Sequence, residues 1–172
     1  DGRVYISDLA ATAPPGLQTR GIGYYCSDIE QDVPPGGPYD VVHARMVFSH
    51  IADPLRALRN AVSALAPGGV IYVADLDRIT SLTLVDVPPF DAARRAVVDD
   101  IVATSNYDPQ FGRRIPALLR SCDLTEIDVH GTVEFHFGGV SRLQLARHVA
   151  AYDRIPECRR AFRVDAVEAA VD

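Results

Sequence analysis

Tyr39-Asp40-Val41-Val42-His43-Ala44-Arg45, then His50-Ile51-Ala52-Asp53-Pro54, then Leu65-Ala66-Pro67-Gly68-Gly69-Val70-Ile71-Tyr72-Val73-Ala74-Asp75, is the stretch that decides the fold. Asp40 to Ala44 reads as a strand ending in the polar run His43-Ala44-Arg45. Asp53-Pro54 opens a helix, with Asp as N-cap and Pro at the first helical position. Leu55, Leu58, Val62 and Leu65 recur at helical spacing and give that helix one apolar face. Pro67-Gly68-Gly69 stops it, and Val70 to Ala74 forms the next strand. Strand, helix and strand in roughly thirty residues make a βαβ unit, the building block of parallel sheets.

Upstream, Arg3 to Ser7 predicts a strand ending at Asp8. Ala13-Pro14-Pro15-Gly16 keeps any helix within 9–19 short, because proline lacks the helical donor. Ile22 to Ser27 is the next strand, ending at Asp28-Ile29-Glu30, and Val33 to Pro38 is a loop. Downstream, Asp91 to Ala103 and Phe111 to Cys122 have helical periodicity, separated by the loop 105–109. Thr125 to His130 and Thr132 to Phe137 alternate around Gly131, which predicts an antiparallel hairpin. Helices are expected over 141–153 and 164–171. Val4, Ile6, Val41, Val42, Ile71 and Val73 are the expected strand core. No linker or repeat divides the 172 residues, so one domain is expected, with 78–110 and 141–172 as helical additions.

A net charge of −6 argues against a general nucleic-acid or anionic-membrane binder. No apolar run is long enough for a membrane helix, and no signal-peptide pattern is present. All 17 Lys-plus-Arg positions are arginine, which with the Ala, Val, Asp and Pro bias suggests a GC-rich, bacterial genome. Cys26, Cys122 and Cys158 are scattered and odd in number, as expected of reduced thiols in a cytoplasmic protein. Cys26, inside an apolar strand pattern, is expected in the core. No His/Cys cluster has metal-ligand spacing, so no metal site is expected.

Ligands of an open parallel sheet lie beyond the carboxyl ends of its strands. Three strands here end in polar residues: Asp8, Asp28, and His43-Ala44-Arg45. A carboxylate at a strand end can accept both hydroxyls of a ribose, and a second one strand over can accept from an adenine amino group. One such Asp alone more often caps a turn; several at matching strand ends point to a ligand.

Together these residues resemble the class I S-adenosylmethionine-dependent methyltransferases, in particular the bacterial small-molecule branch. The resemblance rests on Gly2 to Asp8, Ser27 to Glu30, Tyr39 to Arg45, His50 to Pro54 and Leu65 to Gly69. Phe111-Gly112-Arg113-Arg114-Ile115-Pro116-Ala117-Leu118-Leu119 also looks like a later helix of that branch. It implies an α/β, Rossmann-like methyltransferase sheet, mostly parallel with the C-terminal hairpin. It also implies S-adenosylmethionine as cofactor and a small-molecule methyl acceptor as partner. By position, Asp8 and Leu9 meet the ribose, and Asp28 and Ile29 meet the adenine. His43, Ala44 and Arg45 line the methionine end. Asp75 and Asp77 face the acceptor, and 78–110 and 141–172 are expected on the substrate side. Apart from the resemblance, Arg113 is a further substrate-binding candidate, and Tyr107 in the loop before it could cover a pocket, although loop tyrosines commonly just pack.

The family's first strand and Gly-rich loop should precede Gly2, between the strands that Asp8 and Arg45 terminate. Gly21-Ile22-Gly23 is no substitute, since it enters a strand. The chain is therefore expected to be N-terminally truncated relative to the family, a fragment of a longer chain or a degenerate relative that cannot bind cofactor alone. Methyl transfer is an in-line displacement in which positioning carries most of the catalysis. A base is needed only when the acceptor must lose a proton, with His43, His50 and His136 as candidates; a structural or solvent role is the simpler reading of each. Arg113 and Arg114 suit an anionic group but equally suit a solvated helix face. An inactive methyltransferase-like binding module is the alternative function. A nicotinamide oxidoreductase is the weakest reading, because GxGxxG is missing near the start.

Overall fold

β1 (Tyr5–Asp8) and β2 (Gly23–Cys26) pair in parallel, with Tyr5 opposite Gly23 and Asp8 opposite Cys26. β3 (Tyr39–Arg45) and β4 (Leu65–Ala74) form a second parallel pair, with Val42 opposite Ile71 and Ala44 opposite Val73. This computed structural model describes residues 2–78, 88–133, 152 and 154–161. Among the described residues the two pairs share no ladder, so the expected parallel sheet is present as two separate two-stranded pieces.

The βαβ unit forms as its local chemistry dictates. α1 (Pro54–Ser63) starts with Pro54 at its first turn and with the Asp53 carboxylate accepting from the Arg56 N–H at 3.1 Å. The expected Pro-Gly-Gly stop is instead absorbed into β4. Tyr39 pairs with Leu65 and Val41 with Val70, so residues 66–69 bulge out of the ladder. Gly68 takes φ +79° inside this bulge, a conformation that favours glycine. A methyl on Gly69 would lie 2.9 Å from the carbonyl oxygens of Ala66 and Tyr39, so only glycine fits beneath the ladder.

The chain divides into two compact units, Asp1–Asp77 with Gln110–Asp128 and Arg78–Pro109 with Val129–Asp172. The core of the first unit joins α1 to α3 (Phe111–Arg120). Phe48, Ala57, Leu58, Ala61, Phe111, Leu119 and Cys122 are buried together, and Val42, Ala44, Ile71 and Val73 pack against them. The pleat puts these four strand residues on one face. Burying an aliphatic side chain such as Leu58 contributes about 1.5–3 kcal/mol. In the second unit α2 (Pro88–Thr104) packs with α4 (Pro156–Ala161) through Ala93, Val97, Ile155 and Cys158.

Half of the expected strand core is exposed. Val42, Ile71 and Val73 pack as expected, but Val4 and Val41 are 56 % and 62 % exposed and Ile6 is also exposed. Val41, Val70 and Tyr72 share the face opposite α1, which no described helix covers. Cys26 is exposed as well, its thiol directed to the Leu9 carbonyl, while Cys122 and Cys158 are buried; all three are free. The short helix expected within 9–19 is only a 3-10 turn at Gln18–Arg20. Residues 124–133 carry no ladder; the second arm of the expected hairpin, His136 within it, lies outside the described residues, as do the expected helices at 141–153 (bar Tyr152) and 164–171. α4 was not anticipated. No described helix is long and apolar enough to cross a membrane.

Candidate functional site

Asp8 ends β1 and is exposed, and its Oδ1 accepts the Ala10 N–H at 2.8 Å. Asp28 follows β2 by two residues, and its Oδ1 accepts the Glu30 N–H at 2.9 Å. Each carboxylate is thus fixed by a turn of its own backbone. The second oxygen of each accepts no hydrogen bond from the described residues. Because β1 and β2 run parallel, both acids stand at the same end of the pair. The Ser27 N–H donates to the Asp8 carbonyl at 3.0 Å, and the Ser7 and Ser27 hydroxyls share a 2.8 Å hydrogen bond, which ties the two strand ends together. Tyr24 donates its hydroxyl to the Ala10 carbonyl. Desolvation, then the nearby Asp8 carboxylate and Cys26, push the Tyr24 phenol above its ordinary value.

The loop after β2 is held from α1 by three contacts. Asn60 Nδ2 donates to the Ile29 carbonyl at 2.8 Å, Arg56 Nη2 to Gln31 Oε1 at 2.8 Å, and the Asp53 N–H to Glu30 Oε1 at 2.8 Å. Inside the loop, the Gln31 and Asp32 N–H groups both donate to the Asp28 carbonyl. Ile29 packs against the core of the unit.

At the end of β3 the three expected cofactor residues divide between faces. Ala44 packs on the core, while His43 and Arg45 are exposed. The His43 ring lies 5.2 Å from that of Tyr72, its neighbour across the ladder. The next residue, Met46, has φ 55°, and its N–H donates to the Ala74 carbonyl at 2.9 Å. A left-handed non-glycine residue stores about 1–3 kcal/mol and is typical of a site where direction matters. A 3-10 turn, Phe48–His50, follows, with His50 exposed.

Asp75 and Asp77, expected to face an acceptor, are engaged within the protein. Asp75 Oδ2 accepts the Ser49 N–H at 3.1 Å and Oδ1 the Leu76 N–H at 3.0 Å, so the end of β4 caps the turn after β3. Arg113 donates Nε to Asp77 Oδ2 at 2.7 Å, and its Nη2 lies 2.7 Å from the same oxygen. The Gly112 N–H donates to the Leu76 carbonyl at 3.0 Å. Arg114 lies over the Phe111 ring, 6.0 Å from its centroid. Tyr107 belongs to the second unit, where it is 6 % exposed and its hydroxyl accepts from Arg78 Nε at 3.1 Å.

The structure therefore places Asp8 and Asp28 at the same end of neighbouring strands, with Leu9 and Ile29 next to them in sequence, and pairs Asp77 with Arg113. Met46, Ser49 and Asn60 were missed. Asn60 alone had a signal, a polar side chain among Ala57, Leu58 and Ala61 on a helix face. Among the described residues no group of three or more His, Cys, Asp or Glu side chains is placed to hold a metal ion.

Comparison with known proteins bears on this arrangement. The sequence model of a family described as a methyltransferase domain matches residues 4–106. Methyltransferase str3 of Strobilurus tenacellus is 29 % identical over 96 residues, 55 % of this chain and 35 % of that protein. The ubiquinone biosynthesis O-methyltransferase of Caulobacter vibrioides is 45 % identical over 62 residues, 36 % of this chain and 25 % of its own length. Its namesake from Parvibaculum lavamentivorans is 38 % identical over 61 residues, 36 % and 24 % of the two chains. The matches span about a quarter to a third of the relatives' own lengths.

Proposed function

We propose that this chain, which belongs to the methyltransferase domain family, binds S-adenosylmethionine and takes part in methyl transfer to a small-molecule acceptor. The observation that carries this reading is the pair of turn-fixed carboxylates, Asp8 and Asp28, at matching ends of parallel neighbours. Their chemistry fits the cofactor. Asp8 presents its second oxygen to ribose hydroxyls, and Asp28 presents its own to the adenine amino group, with Leu9 and Ile29 as apolar neighbours. The bound cofactor supplies a methyl group on a sulfonium centre. The chain's contribution is placement: the ends of β1 and β2 hold the nucleoside, and the bend at Met46 directs the chain away beyond the end of β3.

The relatives named as ubiquinone biosynthesis O-methyltransferases support a hydroxyl group as the acceptor class. Such an acceptor must lose a proton. His50, exposed beyond the end of β3, is better placed for this than His43, which lies within the strand against Tyr72. Asp75 and Arg113 act as internal ties in this account, since their polar atoms serve Ser49, Leu76 and Asp77. The three free cysteines suit a reducing, cytoplasmic setting.

Calorimetric titration of the full chain with S-adenosylmethionine tests the reading. Saturable one-site binding is expected. Asp8→Ala should weaken it about 10- to 100-fold, the worth of hydrogen bonds to a charged group. Wild-type affinity in Asp8→Ala would reject the ribose contact.

A further inference from the structure

We infer that Asn60, in the middle of α1, is a positioning residue that sets the purine preference of the site. This deepens the reading of Asp28 as the adenine ligand and rests on it. The loop that carries Asp28 and Ile29 is a single turn closed on the Asp28 carbonyl, so its placement on the unit depends on what else holds it. α1 holds it at three successive residues, Ile29, Glu30 and Gln31. These contacts are unequal. Arg56 with Gln31, and the Asp53 N–H with Glu30, are exposed, where competition with water leaves little net strength. The Asn60 bond to the Ile29 carbonyl is partly buried, and it reaches the residue adjoining Asp28.

Asparagine is a poor choice for a helix interior, about 0.6 kcal/mol less favourable than alanine. Here its side chain lies on a helix that packs into the core through Ala57, Leu58 and Ala61. The bond it makes satisfies a loop carbonyl that no helix or sheet ladder satisfies. With Ile29 fixed at its carbonyl and packed against the core, the backbone beside Asp28 is restrained, and the Asp28 side-chain torsions are restrained in turn by the bond that Oδ1 accepts from the Glu30 N–H. The second oxygen then stands at one place. An acceptor at one place distinguishes an exocyclic amino group from a carbonyl; an acceptor free to wander does not.

The test compares S-adenosylhomocysteine with S-inosylhomocysteine, which carries a 6-oxo group where adenine has its amino group, by calorimetry on the full chain. Wild type should prefer the adenine ligand. Asn60→Ala and the near-isosteric Asn60→Asp, which lacks the donor, should each reduce that preference about tenfold, the upper range for one hydrogen bond. Amide hydrogen exchange at Glu30, Gln31 and Asp32 should quicken by a similar factor in both variants, a readout that needs no ligand. Leu119→Ala, which destabilises the same core but removes no hydrogen bond to the loop, should keep the wild-type preference. Asp28→Asn, which offers a donor as well as an acceptor, should abolish or reverse it. A wild-type preference that survives in both Asn60 variants but is lost in Asp28→Asn overturns the role of Asn60 alone. No preference in wild type, or one that Asp28→Asn leaves intact, overturns the reading of Asp28 and this inference with it.

Discussion

Gly112→Ala inverts the usual effect of adding a methyl group to a helix. In an exposed helix interior, alanine in place of glycine is stabilising by about 0.5–1 kcal/mol. Gly112 is the second residue of α3, and a methyl there would lie 3.0 Å from the Leu76 carbonyl carbon, 3.1 Å from the Asp77 nitrogen and 3.1 Å from the Leu76 oxygen. All three are backbone atoms, so none can rotate aside. Relief requires α3 to lift from the segment after β4. That movement stretches the 3.0 Å bond from the Gly112 N–H to Leu76, worth about 0.5–1.5 kcal/mol. It also disturbs the Arg113–Asp77 pair, but Arg113 is 45 % exposed and its contribution is small. Overpacking of this kind costs about 1–3 kcal/mol, which exceeds the helix-propensity gain. Set against that gain, the expected net result is a loss of up to about 2.5 kcal/mol, centred on roughly 1 kcal/mol. Urea unfolding followed by circular dichroism should show a lower midpoint with an unchanged slope. An equal or higher midpoint would refute the close packing of α3 on residues 76–77.

Leu58 is fully buried between α1 and its core partners, so Leu58→Ala should destabilise the first unit by about 2–5 kcal/mol in the same assay, and a loss below about 1 kcal/mol would contradict that core. Burial pushes the Cys122 thiol above the ordinary thiol range, with Arg59 opposing and Asp123 adding to the shift. The stability this represents is fully present below the thiol's unfolded value and is lost as pH rises through the raised folded value. Cys122→Ala should therefore lose less stability than wild type on going from about pH 8 to well above the free-thiol range, and an identical alkaline loss would exclude Cys122 as a contributor.

What could be read from the sequence divides by distance along the chain. The start of α1 was legible because Asp53 and Pro54 act on adjacent backbone. The parallel β3–β4 pair followed from the short connection between them. Strand faces were not legible, because the exposure of Val41 and Tyr72 depends on what covers the sheet, and a β-branched strand reads alike on either face. Cys26 failed for the same reason. Of the proposed site, the placement of Asp8 and Asp28 at matching strand ends was legible from position alone. The ties that fix the rest were not: Asn60 reaches back 31 residues to Ile29, Ser49 meets Asp75 26 residues away, and Asp77 meets Arg113 36 residues away. The left-handed turn at Met46 carries no local mark, since methionine gives no hint of positive φ.

A protein–ligand cycle reads the proposed contact between the Asp8 carboxylate and the ribose. Wild type and Asp8→Ala would each be titrated with S-adenosylhomocysteine and with the analogue lacking both ribose hydroxyls. Wild type should lose about 10- to 100-fold in affinity when the hydroxyls are removed, whereas Asp8→Ala should bind the two ligands almost equally. Equal losses in the two proteins on removing the hydroxyls would place the ribose elsewhere and contradict the account.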